Sequence, residues 1–129
     1  MGKRILIVED EPDMVAILKL TLENRGYEVL SAYDGEEGLF QARETIPDLI
    51  LLDILMPKIL GDDMATRLRS QEETHNIPII FFTNLPVNAF SEDDKNKPYQ
   101  IDSQGNIYLH KTCSEEELVA AIEYLLTKK

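Results

Sequence analysis

Short, wholly apolar runs alternate along this chain with stretches in which apolar residues recur every three or four positions. Arg4–Val8 is a brief β-branched run without polar interruption, the pattern of a strand covered on both faces. Pro12 suits the first turn of a helix, and Met14, Ile17, Leu18 and Leu22 recur at helical spacing until Gly26 supplies a stop. A second strand is predicted over 27–32. Asp34 and Glu37 then form a cap pair for a helix carrying Leu39, Phe40 and Arg43, which ends before Pro47. Leu49–Leu52 is again apolar throughout and stops at Asp53. After Gly61, Met64 and Leu68 mark a further helix, and a fourth apolar run over 77–82 stops at Thr83. Near the far end Ser114 and Glu117 make a capping box for a helix with Leu118, Ile122, Leu125 and Leu126 on one face.

Strands and helices that alternate in this way, with strands buried on both sides, predict an α/β fold: an open parallel sheet with helices on both faces. Segment 84–107 departs from the scheme. It holds Pro86, Pro98 and the acidic run Glu92-Asp93-Asp94, and a helix capped by Ser91 has only about two turns before Pro98. The stretch 99–108 has two strand-like arms around Ser103-Gln104-Gly105, which predicts a β-hairpin, so the fourth helix is expected to be short or replaced.

Length and charge narrow the function. The 129 residues make one domain, spanning 1–129. A net charge of −11 repels phosphate backbones and anionic membranes, so direct nucleic-acid or membrane binding is not expected. The single Cys113 excludes an intramolecular disulfide and a multi-cysteine zinc site. No apolar run approaches the roughly 20 residues of a membrane span, and no signal peptide precedes the first strand. A cytoplasmic domain is therefore expected.

In an open parallel sheet ligands bind beyond the carboxyl ends of the strands. Those ends carry Glu9-Asp10-Glu11, Asp53, Thr83 and Lys111. The first turn offers acids where a nucleotide site would offer glycines, so phosphate could enter only with a cation. Converging carboxylates repel one another unless a hard divalent ion neutralises them, and an all-oxygen donor set favours magnesium or manganese over zinc. With such an ion, Lys111 as a second positive charge and Thr83 as a donor, the set fits phosphoryl transfer, and a carboxylate can be the nucleophile. The plainer alternative, a solvated acidic helix start, loses ground beside Asp53 and Lys111. His75 and His110 lack metal-ligand spacing.

With these residues in order, the chain resembles the receiver domains of the two-component response-regulator family, and is similar to stand-alone chemotaxis-type members. The likeness covers 3–83 and resumes over 108–129. ILIVEDEP resembles the acidic first-strand motif, with Glu9 for the more usual Asp, and LLDILMP matches the phosphoacceptor motif, with Pro57 and Gly61 following. Thr83 stands at the family's spacing from Asp53, Lys111 at its lysine, and Tyr108 at its aromatic switch position.

The resemblance implies a flavodoxin-like, doubly wound sheet of five parallel strands and a phosphorylation-activated switch. Asp53 would accept a phosphoryl group from a histidine kinase or histidine phosphotransfer protein. Asp10, Asp53 and the backbone carbonyl of Leu55 would bind magnesium (or manganese), with Glu9 acting through a water. Thr83 and Tyr108 would move on phosphorylation and alter the surface met by a downstream protein target, the chain being a monomer or weak dimer. It would catalyse only its own phosphorylation and dephosphorylation, and is not otherwise an enzyme. Output is expected through protein contact, either alone or as the receiver piece of a longer protein.

Four departures from the family pattern bear on these expectations. The 84–107 segment is long. Thr112 stands where the family commonly has a cis proline; a cis bond there would cost about 2.5–4 kcal/mol, so a trans bond is predicted, with Lys111 reaching the site by another path. Asn84 replaces a small residue and narrows access to Asp53. Leu55 and Leu85 cannot orient an attacking water, so a long-lived phosphoryl state is expected. Two other functions compete: a phosphorylation-independent pseudo-receiver acting as an interaction module, and a small phosphohydrolase. The second lacks its acid/base aspartate, since Leu55 holds that place.

Overall fold

A computed structural model of the chain describes residues 2–54, 61–83, 99–101 and 106–127. The elements run β1 (Arg4–Val8), α1 (Pro12–Asn24), β2 (Glu28–Ala32), α2 (Gly35–Thr45), β3 (Leu49–Leu52), α3 (Gly61–Arg69), β4 (Ile79–Thr83), β5 (Tyr99–Ile101), β6 (Ile107–His110) and α4 (Glu115–Thr127). One sheet of order β2-β1-β3-β4-β6-β5 holds all six strands. Its first five are parallel, and β5 pairs antiparallel with β6 at the edge. The expected doubly wound parallel sheet is present, and so are the two arms of the hairpin. The short helix expected after Ser91 lies outside the described residues.

Strand periodicity sorts the core into two. Ile5, Ile7, Leu49, Leu51, Ile80 and Phe82 face one way and pack with α1 and α4; Leu6, Val8, Ile50, Leu52, Ile79 and Phe81 face the other and pack with α2 and α3. Alternate residues of an apolar strand can do this only when both faces are covered, which is why β1, β3 and β4 carry polar residues only at their ends, Arg4 and Thr83. On α1 the residues turned to the sheet are Val15, Leu18 and Leu22, while Ile17 is left 61% exposed. Ile17 shares the helical spacing but lies off the buried stripe: a helix seated on a sheet buries a narrow face, and the 15-18-22 row occupies it.

The local signals act as their chemistry dictates. Asp34 Oδ1 accepts from the Glu37 amide at 2.8 Å while Glu37 Oε1 accepts from the Tyr33 amide, closing the cap of α2. Ser114 and Glu117 exchange the same pair of bonds at the start of α4. Gly26 sits at φ +92°, a conformation that L side chains rarely adopt, and turns the chain from α1 into β2.

Gly38 brings α2 onto the sheet. A Cβ there would lie 2.9 Å from Val8 Cγ1 and Met64 Cε and 3.0 Å from Val8 Cγ2. Valine has no free rotamer with which to retreat in a core of this density. Gly38→Val is therefore expected to destabilise the fold by about 1–3 kcal/mol, despite the glycine's poor helix propensity. Urea unfolding checks this, and an unchanged midpoint would show that α2 can shift outward freely.

Candidate phosphoacceptor site

Parallel register brings the site together. Val8 lies opposite Leu52, and Leu52 opposite Phe81, so Glu9 and Asp53 emerge side by side where β1 and β3 end. Backbone bonds hold both ends: the Asp53 amide donates to Val8 O and the Glu9 amide to Ala32 O, each at 3.0 Å. On the other side Thr83 pairs with His110, and the Lys111 amide donates to Thr83 O at 2.8 Å. The lysine therefore leaves β6 directly beside the threonine. All peptide bonds described are trans, including Lys111-Thr112, as predicted from the missing proline.

Three carboxylates surround the ammonium. Lys111 Nζ lies 2.7 Å from Glu9 Oε1, 3.2 Å from Asp53 Oδ2 and 3.3 Å from Glu11 Oε1. Glu9, Asp53 and the lysine side chain are all nearly closed to solvent, whereas Glu11 is 62% exposed. Burial pushes the Glu9 carboxyl up to about 7, with the charge of Asp53 adding to the rise and Lys111 opposing it. Burial works against the charged form of Lys111 too, but Glu9 and Asp53 outweigh it and hold the ammonium above its ordinary value.

Glu9, Asp10 and Asp53 each offer an oxygen, and these oxygens lie within 4.8 Å of one another. Glu9 Oε1 is buried and faces the Lys111 ammonium at 2.7 Å. A clustered all-oxygen donor set, two of its carboxylates buried, fits a hard divalent cation. Leu55, whose carbonyl was expected to join it, lies outside the described residues, as do Asn84 and Leu85. Thr83 is fully buried at the strand end. Tyr108 is half-buried, its ring stacked on Phe81 with centroids 4.8 Å apart and planes 22° from parallel.

The sequence puts Glu11 at this edge with the other acids, but its contact with Lys111 is one that the pattern did not reveal. A signal was present: it precedes Pro12, a position where a short capping side chain is the usual occupant. Cys113 is half-buried, and burial raises its thiol to about 11, so it is no nucleophile at neutral pH.

A doubly wound sheet carrying an acidic cluster, a threonine and a lysine at its strand ends is the architecture of a receiver domain. The chain belongs to the response regulator receiver domain family, whose model matches residues 5–123. It is 38% identical over 126 residues to hybrid signal transduction histidine kinase D of Dictyostelium discoideum, covering 97% of this chain and 8% of that one. It is 36% identical to the DNA-binding dual master transcriptional regulator RpaA of a Synechocystis strain, covering 97% of this chain and 49% of the relative. The chain thus spans at most about half the length of these relatives. Response regulator TrrA of Thermotoga maritima, solved in complex with Mg(2+)-BeF, superposes with a TM-score of 0.78 at 32% identity, over 95% of this chain and 98% of that one. Among the described residues no helix is long and apolar enough to cross a membrane.

Proposed function

We propose that this receiver domain is a phosphorylation-activated switch that takes a phosphoryl group on Asp53 from the phosphohistidine of a kinase or phosphotransfer protein. The observation that carries the reading is the convergence of Glu9 and Asp53 on the Lys111 ammonium, at 2.7 and 3.2 Å, beside an oxygen of Asp10. Lys111 reaches Asp53 although Thr112 replaces proline, which removes one of the grounds for a pseudo-receiver.

Asp10, Asp53 and Glu9 are the residues that would hold magnesium (or manganese), which supplies screening of charge on the phosphoryl oxygens. An Asp53 carboxylate oxygen attacks phosphorus; the P–N bond of the phosphohistidine breaks, and its electron pair returns to the imidazole. Lys111 neutralises the charge that spreads over the transferred oxygens, and the Thr83 hydroxyl supplies a donor. Hydrolysis reverses the state when water attacks phosphorus and the carboxylate leaves. Thr83 and Tyr108, on neighbouring strands, carry the change toward β6 and α4, where a downstream protein reads it. A few kcal/mol of bias between two conformations suffices for such a switch.

The donor is expected to approach over α1. Ile17 and Leu20 are exposed there, and a groove of about 340 Å³ between α1 and the start of α4 opens beside Lys111. Intact mass after incubation with acetyl phosphate tests the core of the reading. One phosphoryl adduct is expected with magnesium and none with a chelator. An adduct that forms equally well without divalent cation, or none under either condition, would overturn it.

A further inference from the structure

Glu11 stands apart from the cation cluster, which consists of Glu9, Asp10 and Asp53. Its backbone occupies the N-cap of α1, with φ −94° and ψ 111°, and its side chain makes no bond to the helix amides. N-caps favour Asp, Asn, Ser and Thr because a short side chain places its oxygen on the second or third amide. Glu11 forgoes that bond. Its Oε1 accepts instead from Lys111 Nζ at 3.3 Å, across a sequence separation of 100 residues.

An ammonium has three N–H donors, and here three carboxylates compete for them. For phosphoryl transfer Lys111 has to turn a donor to an incoming phosphoryl oxygen, so each carboxylate it holds is a competitor. Glu9 and Asp53 belong to the cation cluster. Glu11 is the contact that a cation in that cluster does not itself replace, and it comes from the solvent side, where the donor enters.

We propose that Glu11 is a positioning residue of the transfer reaction, a carboxylate tether at the mouth of the site that holds the Lys111 ammonium and yields it when the phosphoryl group arrives. This role rests on the phosphoacceptor reading above. Glu11 then sets how readily the domain is phosphorylated, without touching the reacting atoms.

Two substitutions separate the tether from the charge it carries. Glu11→Gln keeps the length and removes the charge; Glu11→Asp keeps the charge, falls a methylene short of Lys111 and regains the ability to cap α1. Two quantities are read on the intact chain: the rate of adduct formation from acetyl phosphate with magnesium, and proton exchange of the Lys111 ammonium by nitrogen-15 NMR without metal. Both variants are expected to form the adduct roughly two- to fivefold faster than the native chain, the scale of a partly exposed ion pair. In both, ammonium exchange quickens. Glu11→Asp melts no lower than native, so faster transfer cannot be laid to loosened structure. Acceleration in Glu11→Gln alone would assign the effect to charge at the mouth and overturn the tether; so would equal or slower rates in both. A native chain without adduct would overturn the phosphoacceptor reading and this role together, and the ammonium measurement would then still show whether the contact restrains Lys111.

Discussion

An Asp53→Asn chain is expected to take up no phosphoryl group from acetyl phosphate and magnesium while keeping the native fold. The amide is nearly isosteric with the carboxylate, and Asp53 is held by its own backbone bond to Val8 O, which the substitution leaves in place. What it removes is the anionic oxygen that attacks phosphorus. A second effect follows from the electrostatics. The charge of Asp53 is one of the causes that raise Glu9 toward 7, so Glu9 should titrate lower in the variant. Carboxyl carbon-13 shifts followed against pH would register this independently of the adduct. An adduct that persists on the variant would place the acceptor elsewhere, and an unmoved Glu9 would mean that the two carboxylates do not face each other in solution.

Much of this site could be read from residue order, because parallel strands deliver their C-terminal residues to one edge. Once the runs at Arg4–Val8, Leu49–Leu52 and 77–82 are strands, Glu9, Asp53 and Thr83 must emerge together. The hairpin was legible for a similar reason: glycine between two arms of strand-forming residues leaves few other conformations. Contacts decided by tertiary placement were less accessible. The row 15-18-22 on α1 and the row through Ile17 are both apolar, and only the helix's seat on the sheet chooses between them. Glu11 reads as one more acid in a turn until β6 brings Lys111 to it. Arg69 is another such case. Its guanidinium donates to Asn106 Oδ1 at 2.7 Å and to the carbonyls of His75 and Ile77, tying the end of α3 to the entries of β4 and β6, and no local pattern marks any of the three.

The same three-carboxylate arrangement makes Lys111 the most consequential cation of the site, and Lys111→Met should show it twice. Adduct formation is expected to slow by about 100-fold, the scale for losing one preorganised charge-stabilising donor. Stability should fall as well, in a pH-dependent way whose sign is fixed by Glu9. Its carboxyl lies above the ordinary value in the folded chain, so folding binds a proton there. That contribution is complete below about 4.5 and is lost as pH rises through about 7. Lys111 lowers the Glu9 value, so its removal extends the loss to higher pH. Relative to native, the metal-free variant should be little destabilised at pH 5 and increasingly so above pH 7, by about 1.4 kcal/mol for each further pH unit until Glu9 is fully ionised. Magnesium should restore much of the difference, since a cation at Glu9, Asp10 and Asp53 replaces the missing charge. Thermal melts at several pH values, with and without magnesium, check each part. A destabilisation that is the same at pH 5 and pH 8.5 would assign the loss to packing of the lysine stem rather than to the buried carboxylates.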